Sequence, residues 1–350
     1  MDMWEDNVRR VVPYVPGEQP RVQNLIKLNT NENPYPPSPL VYKAMEEFDC
    51  YDLKKYPDPN VSELVTALSE TYNVPEDQIF VGVGSDDVLA TAFLTFFNSE
   101  KPILFPDVTY SFYDVWGDLY RIPYERIPLK EDFSIDIKDY FKENGGIVIA
   151  NPNAPTGLYE DLTNIEEILK RNPDSVVIVD EAYIDFGGKS ALSLIESYDN
   201  LLVVRTYSKS RSMAGIRIGY AFGSKKLIKY MLDVKFSVNS YTMNMPSIKL
   251  GVASLKDPDY FDETTKKIIN TREWTKNELK KRGFSFPDSM TNFIFARHES
   301  LERDFIFNKL REENILVRAF NGDRIKEYLR ISIGTDEEMK RVMEVLDKIV

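Results

Sequence analysis

The stretch Ser175-Val176-Val177-Ile178-Val179-Asp180-Glu181-Ala182-Tyr183 decides the fold class. Its apolar residues are β-branched and consecutive rather than alternating with polar ones, so a strand here must be covered on both faces. Strands of that kind belong to parallel sheets with helices packed above and below. Runs of the same texture recur at 78–81, 103–105, 147–150, 201–204 and 216–220, with helical stretches such as 87–97 and 162–170 between them. The pattern predicts an α/β protein whose large three-layer domain, residues 46–255, holds a mostly parallel, mixed sheet.

Beyond residue 240 the texture changes. A polar, charged stretch over 257–281 predicts one long helix with a solvated face. Strands at 292–295, 315–317 and 329–333, with helices at 302–312 and 336–349, predict a smaller α+β domain over 256–350. Residues 1–45 are too few to fold alone and are expected to dock on that domain or on a partner subunit. Within them, Asn29-Thr30-Asn31-Glu32-Asn33-Pro34-Tyr35-Pro36-Pro37-Ser38-Pro39 must be a loop, because its prolines and asparagines exclude a helix or central strand. A second break, Tyr56-Pro57-Asp58-Pro59-Asn60, offers Asn60 as the cap of a following helix.

Composition narrows the function. The 350 residues suit about two domains, and 43% hydrophobic content with 20 Phe and 20 Tyr supplies a large core. A formal charge of −12 repels nucleic acid and anionic lipid surfaces. The single cysteine, Cys50, forms no intrachain disulfide, which fits a reducing cytoplasm. The acidic amino terminus lacks the apolar core of an export signal, and no apolar run approaches the ~18 residues of a membrane helix. The single histidine, His298, excludes zinc sites built from several imidazoles and leaves a Ser-His-Asp hydrolase only one candidate base. It follows Phe293-Ile294-Phe295 among charges and reads as a solvated strand end, and no metal site is expected.

Ligands of open α/β sheets lie beyond the carboxyl ends of the strands. Four such ends are unusual. Gly82-Val83-Gly84-Ser85-Asp86 places backbone N–H groups, with Ser85 as a helix cap, where a phosphate would bind, although on this motif alone a plain strand-to-helix turn is the commoner reading. Asn151-Pro152-Asn153-Ala154-Pro155-Thr156-Gly157 is a tight turn presenting amides. Asp180 puts a carboxylate directly after buried positions and needs a cationic partner, structural or functional. Lys209 sits between serines, and eight residues later Arg217 opens another strand. Together these residues supply what pyridoxal phosphate requires. Gly84, Ser85, Asp86, Ser208 and Arg217 would hold a phosphate, Lys209 would form a Schiff base, Asp180 would keep a pyridine nitrogen protonated, and Tyr110 would stack on the ring.

In that order of motifs the chain resembles the fold-type I pyridoxal-phosphate-dependent aminotransferases, and within them the histidinol-phosphate aminotransferase family. The matching pieces are residues 28–34, Tyr56-Pro57-Asp58-Pro59, Gly84-Ser85-Asp86, Thr109-Tyr110-Ser111-Phe112-Tyr113, 151–157, Asp180-Glu181-Ala182-Tyr183, Ser208-Lys209 and 329–335. The resemblance implies that Lys209 bonds the cofactor, Asp180 faces its ring nitrogen and Tyr183 donates to its ring oxygen. It also implies a homodimer in which Tyr56 reaches the other subunit's cofactor phosphate. Arg330 would grip the anionic end of the substrate, with Tyr14, Asn33 and Arg318 nearby. The implied partners are a small amino donor and a 2-oxo acid, most naturally histidinol phosphate and 2-oxoglutarate. An aromatic amino acid transaminase, a threonine-phosphate decarboxylase and a non-catalytic scaffold are the competing readings.

Three features depart from the family pattern. Ala154 replaces the usual Asn, so Asn153 is expected to supply the amide contact to the cofactor ring, if any does. The segment Ser210-Arg211-Ser212-Met213 is unusually polar, and Asp107-Val108 stands where prolines are common.

Overall fold

The computed structural model describes residues 4–20 and 22–350. Its strands, in chain order, begin with β1 (Ile26–Lys27), β2 (Ile79–Gly82), β3 (Ile103–Pro106), β4 (Tyr124–Ile127), β5 (Gly146–Ala150), β6 (Val177–Asp180), β7 (Leu201–Thr206) and β8 (Gly219–Gly223). There follow β9 (Phe284–Ser285), β10 (Phe293–His298), β11 (Ile315–Leu316), β12 (Arg318–Ala319) and β13 (Leu329–Ser332). A seven-stranded sheet has the order β2-β8-β7-β6-β5-β3-β4. Only β8 runs antiparallel to its neighbours, so the sheet is mixed and mostly parallel, as the sequence predicts.

The continuous apolar strands are buried on both faces because successive side chains alternate between two cores. Ile147, Ile149, Val177, Val179, Leu201 and Val203 join a cluster with the helices Ser62–Tyr72, Leu162–Arg171 and Met245–Leu255. Val148, Ile178, Leu202 and Val204 face the other way, against Ser85–Phe96, Phe112–Tyr120 and Lys225–Val238. The strand β4 has no counterpart in the sequence reading. It is an edge strand whose Glu125 and Arg126 are exposed, so its apolar signal is broken.

The smaller sheet is antiparallel, in the order β12-β13-β10-β9. Its apolar residues Ile294, Ala296, Leu329 and Ile331 pack with residues of the helices Pro258–Lys281, Arg303–Glu312 and Asp336–Leu346. The long helix starts one residue after Asp257, whose side chain caps it by accepting from Tyr260 N–H. The N-terminal β1 pairs in parallel with β11, drawing the following loop across the carboxyl ends of the large sheet.

Some local expectations are revised. Asn60 does not cap the helix at 62; Asp58 accepts from both Asn60 N–H (3.0 Å) and Ser62 N–H (2.8 Å) instead. Ser85 is not a cap either: Gly84, at φ +85, occupies that position and Ser85 is the first helical residue. The loop through residue 38 continues into an unforeseen helix, Pro39–Glu46, with Ser38 capping it and proline tolerated at its first position. Arg217 does not open a strand. It lies in a left-handed turn (φ 58°) two residues before β8.

That turn and the start of β8 press against the glycine loop after β2. A Cβ built on Gly219 would lie 2.2 Å from Gly84 C and 2.3 Å from Ser85 N, both rigid backbone. Gly219→Ala should therefore lower the unfolding free energy by about 1–3 kcal/mol through overpacking. Gly215→Ala meets nothing within 4 Å and should change it by less than ~0.5 kcal/mol. Denaturant melts of both variants check this, and equal losses would contradict it.

Candidate active site

The strand β6 delivers Asp180 to the carboxyl edge of the sheet, beside a cleft of about 170 Å³. One enclosed water needs ~10–15 Å³ by the same measure, so the cleft takes a small organic molecule. Asp180 is only 5% exposed. Tyr113 O–H donates to its Oδ2 at 2.9 Å and Ala182 N–H to its Oδ1 at 3.1 Å, and both donors are neutral. Burial pushes this carboxyl from 3.8 up to about 6, the two hydrogen bonds pull it back, and Asp86 and Glu181 add like-charge pressure. A carboxylate so placed attracts a cation that the protein itself does not hydrogen-bond to it.

Lys209 follows β7 and reaches the same cleft. Its Nζ donates to Thr30 O at 3.3 Å and lies 5.6 Å from the centroid of the Tyr183 ring. Asn33 holds the lysine's backbone, donating from Nδ2 to Lys209 O (3.0 Å) and Ser210 O (3.1 Å) while its Oδ1 accepts from Tyr35 N–H. Both ends of its carboxamide are thereby occupied. In this structure Asn33 holds the lysine loop, with the substrate contact implied by the resemblance left as an expectation.

An anion cup stands beside them. The loop after β2 is braced by Asp87, whose Oδ2 accepts from Val83 N–H at 2.8 Å. It leads into the N-terminus of the helix Ser85–Phe96, where free N–H groups and the helix dipole favour negative charge. Arg217 adds a guanidinium, paired with Asp86 at 3.2 Å and donating to Ser208 Oγ at 3.4 Å. Gly84 is required here, since a Cβ on it would meet Arg217 Nη2 at 2.5 Å. The carboxylate of Asp86 also accepts from Tyr110 O–H at 2.8 Å, so Asp86 orients Arg217 and Tyr110 rather than offering its charge to an anion. Burial and Asp86 push the Tyr110 hydroxyl well above its ordinary range, keeping it a donor. Ser85, released from capping, lines the cleft together with Tyr110, Tyr183 and Ser208.

Sequence reasoning missed Asn31. Its Nδ2 donates to Tyr183 Oη at 2.8 Å, its backbone N–H donates to Ser332 Oγ, and its carbonyl accepts from Asn292 Nδ2 at 2.9 Å. It thus joins the N-terminal loop, the tyrosine and the small sheet. The only sequence signal was its place among the asparagines of the loop, suited to the left-handed φ of 56° it adopts.

Other expected residues fall outside the cleft. Asn153 donates to Val108 O and Thr156 Oγ1, both at 2.9 Å, and accepts from Thr109 Oγ1 at 2.7 Å. These bonds make Asn153 a stabiliser of the turn, and Ala154 rather than Asn153 lines the cleft. Arg330 on β13 is half-buried, donates from Nη2 to Asn29 O at 3.2 Å, and its buried Nε has no partner. Burial lowers its pKa, and Arg318 does so further, while Tyr183, Tyr14 and Tyr110 oppose this. Arg318 donates to Val15 O at 3.1 Å, and Tyr14 stacks on Phe112 at 4.4 Å. Tyr56 is 79% exposed and stacks on Tyr241 at 4.7 Å, away from this cleft. His298 ends β10, its Nδ1 accepting from Leu301 N–H at 2.9 Å. Among the described residues no His, Cys, Asp or Glu cluster could hold a metal ion, and no helix is long and apolar enough to cross a membrane.

A cation-seeking carboxylate, a lysine, an aromatic ring and an anion cup around one cleft at the carboxyl ends of a mostly parallel sheet define the fold-type I pyridoxal-phosphate class. The residues fit that cofactor: Asp180 lacks only a cation, which a protonated pyridine nitrogen supplies, and the cup beside Arg217 suits a phosphate. Comparison with known proteins agrees. The family of aminotransferases class I and II matches residues 23–346. A histidinol-phosphate aminotransferase from Lactococcus lactis subsp. cremoris is 53% identical over 98% of this chain and 96% of its own length. One from Clostridium botulinum is 52% identical over 99% and 98%. The histidinol-phosphate aminotransferase of Sinorhizobium meliloti, solved in complex with pyridoxal-5′-phosphate, superposes with a TM-score of 0.83 at 23% identity, covering 93% of this chain and 92% of that one. The Clostridium acetobutylicum structure of the same name gives 0.85 at 24% identity, with 93% and 99% coverage. At those identities the two structures establish the fold. The chain belongs to the class I and II aminotransferases and, within them, to the histidinol-phosphate aminotransferase family; it is a pyridoxal-phosphate-dependent enzyme whose family uses amino and oxo-acid substrates.

The Asp180 environment has a pH signature. In protein freed of cofactor, folded Asp180 keeps its proton up to about pH 6, whereas the unfolded chain releases it near 3.8. The native state then binds more protons inside that window, so this group's contribution to stability falls as pH rises through it. Cofactor-free Asp180→Asn should melt higher than wild type above about pH 6, and the difference should shrink toward pH 4. Thermal melts across that range check it; a pH-independent difference would contradict the assignment.

Proposed function

We propose that this aminotransferase transfers the amino group of histidinol phosphate to 2-oxoglutarate, as a cytoplasmic homodimer. The reading is supported by 52–53% identity over 98–99% of the chain to proteins of that name, joined to the arginine pair Arg330 and Arg318 beside the cleft. Its organisation is an N-terminal segment 1–45, a cofactor-binding domain 46–255 and a small domain 256–350.

When bound, pyridoxal phosphate supplies an electron sink for the charge left at the substrate Cα. Lys209 would be the attachment point for the cofactor, and its free amine would serve as the base at the substrate Cα. Asp180 would face the ring nitrogen and favour its protonated form. Tyr183 would donate to the ring 3′-oxygen, and Asn31 orients Tyr183 by donating to its hydroxyl oxygen. Tyr110 would stack on the ring and Gly84, Ser85, Ser208 and Arg217 would hold the phosphate, with Asp86 holding Arg217 in place. Arg330, with its unpartnered Nε, takes the anionic end of the substrate, and Arg318 and Tyr14 flank it. Guanidinium suits this task because it binds phosphate or carboxylate through two parallel hydrogen bonds. The chain's net charge of −12 opposes substrate entry weakly, since screening acts beyond ~10 Å and the arginines act at contact. The exposure of Tyr56 leaves it free to reach the other subunit's cofactor phosphate.

Wild-type enzyme reduced with borohydride should retain cofactor covalently on Lys209, and Lys209→Ala should retain none, as peptide mass spectrometry will read. A reducible adduct surviving in the variant overturns the lysine's role. Histidinol phosphate should convert the enzyme's visible spectrum in a half-reaction that phenylalanine, tyrosine and threonine phosphate drive less well. No spectral change with histidinol phosphate, or carbon dioxide release from threonine phosphate, overturns the substrate. Arg330→Met should reduce kcat/KM for histidinol phosphate by at least about 30-fold, the effect of removing one partner of a buried charge pair.

A further inference from the structure

The polar segment after the lysine finds its partners in a buried ionic chain. Glu181, the residue after Asp180, has a fully buried side chain and pairs with Arg205 of β7 at 3.0 Å. The same carboxylate accepts from Ser190 Oγ and Ala191 N–H, both at 2.6 Å. Burial pushes the Glu181 carboxyl up, and Arg205 is the strongest opposing influence. The other side of the Arg205 guanidinium lies 3.6 Å from Asp185, with Tyr72 beneath it at 5.2 Å. Asp185 in turn accepts from Ser210 Oγ at 2.5 Å. Ser210 is itself 3% exposed.

Each carboxylate or hydroxyl in this chain neighbours a residue of the cleft. Glu181 adjoins Asp180, Asp185 lies two residues after Tyr183, and Ser210 adjoins Lys209. We propose that the network Glu181–Arg205–Asp185–Ser210 is a positioning device that fixes Lys209 relative to Asp180 and Tyr183, with the Ser210 hydroxyl as its closing link. The inference rests on Lys209 as the cofactor's attachment point.

The physical case is directional. Apolar packing would bury the lysine loop but leave its register free to slide, whereas a hydrogen bond to the half-buried Asp185 carboxylate fixes both distance and angle. Arg205, anchored in a buried pair with Glu181, holds its charge 3.6 Å from the Asp185 carboxylate and favours that orientation. Arg211 anchors the next residue independently, donating to Ser254 O at 3.1 Å with its guanidinium 4.4 Å from the Phe261 ring. With Asn33 on the backbone carbonyls, the loop is held at three consecutive residues, and the serine side chain adds to the β6–β7 pairing a tie to the segment that follows Asp180 and Tyr183.

The test uses purified holoenzyme and its cofactor-free form, in Ser210→Ala, Ser210→Thr and Asp185→Asn variants. Loss of the link should weaken pyridoxal-phosphate affinity about tenfold, the effect of one charge-assisted hydrogen bond. It should lower kcat by about tenfold with KM changed less than twofold, because an interaction that aligns the reacting lysine is absent from simple substrate binding. The rate at which an acylating reagent modifies Lys209 in cofactor-free protein should change severalfold in Ser210→Ala and Asp185→Asn, and return toward wild type in Ser210→Thr, which keeps the hydroxyl. Variants that melt lower yet keep wild-type cofactor affinity, kcat and Lys209 labelling would overturn the proposal while leaving the lysine's role intact. Borohydride fixation of cofactor on a different lysine in wild type would overturn both.

Discussion

The structure turns on a carboxylate that the fold buries without giving it a charged partner. Asp180 ends a strand with both faces covered, and only neutral donors reach it. Such a group is destabilising in isolation, since desolvation favours its protonated form. It becomes favourable once a cation occupies the cleft. The sheet therefore stores a preference for a cation in the cleft, which the protonated ring nitrogen of the proposed reading would meet.

The remaining architecture arranges other groups around that carboxylate. Parallel neighbours β6 and β7 bring Asp180 and the lysine loop to the same edge, and β8, antiparallel beside them, presses its glycine under the phosphate-type cup. The N-terminal loop closes the cleft from the side of the small sheet. Asn31 and Asn33 make the closure specific, one on Tyr183 and one on the lysine's backbone. Residues distant in sequence thereby share one rigid site, which matters because a small misplacement of a reacting group is costly in rate.

Much of this was readable from residues alone, for identifiable reasons. Strands buried on both faces advertise themselves by unbroken apolar runs, so β5, β6 and β7 were clear. The exposed edge strand β4 was not, because Glu125 and Arg126 interrupt its pattern. Lys209, Asp180, Tyr110, Ser85 and Ser208 stand at strand ends or helix starts, where chain order predicts a ligand, and the structure does bring them to one cleft. Failures came where a side chain's long-range partner decides its task. Asn33 and Asn153 carry amides that could serve a ligand, yet in this structure both N–H donors of each go to neighbouring protein groups. Asn31 lacked a local signal because its partners lie far along the chain, in Tyr183, Asn292 and Ser332. The odd polarity of Ser210 and Arg211 is intelligible only once Asp185, Ser254 and Phe261 are seen beside them.

The most direct measurement is the protonation state of the bound cofactor's ring nitrogen, read from its chemical shift in enzyme loaded with nitrogen-15-labelled pyridoxal phosphate near pH 8. The account predicts a pyridinium shift in wild type and a neutral-pyridine shift when Asp180 is replaced by asparagine. A neutral nitrogen in the wild-type enzyme would contradict it.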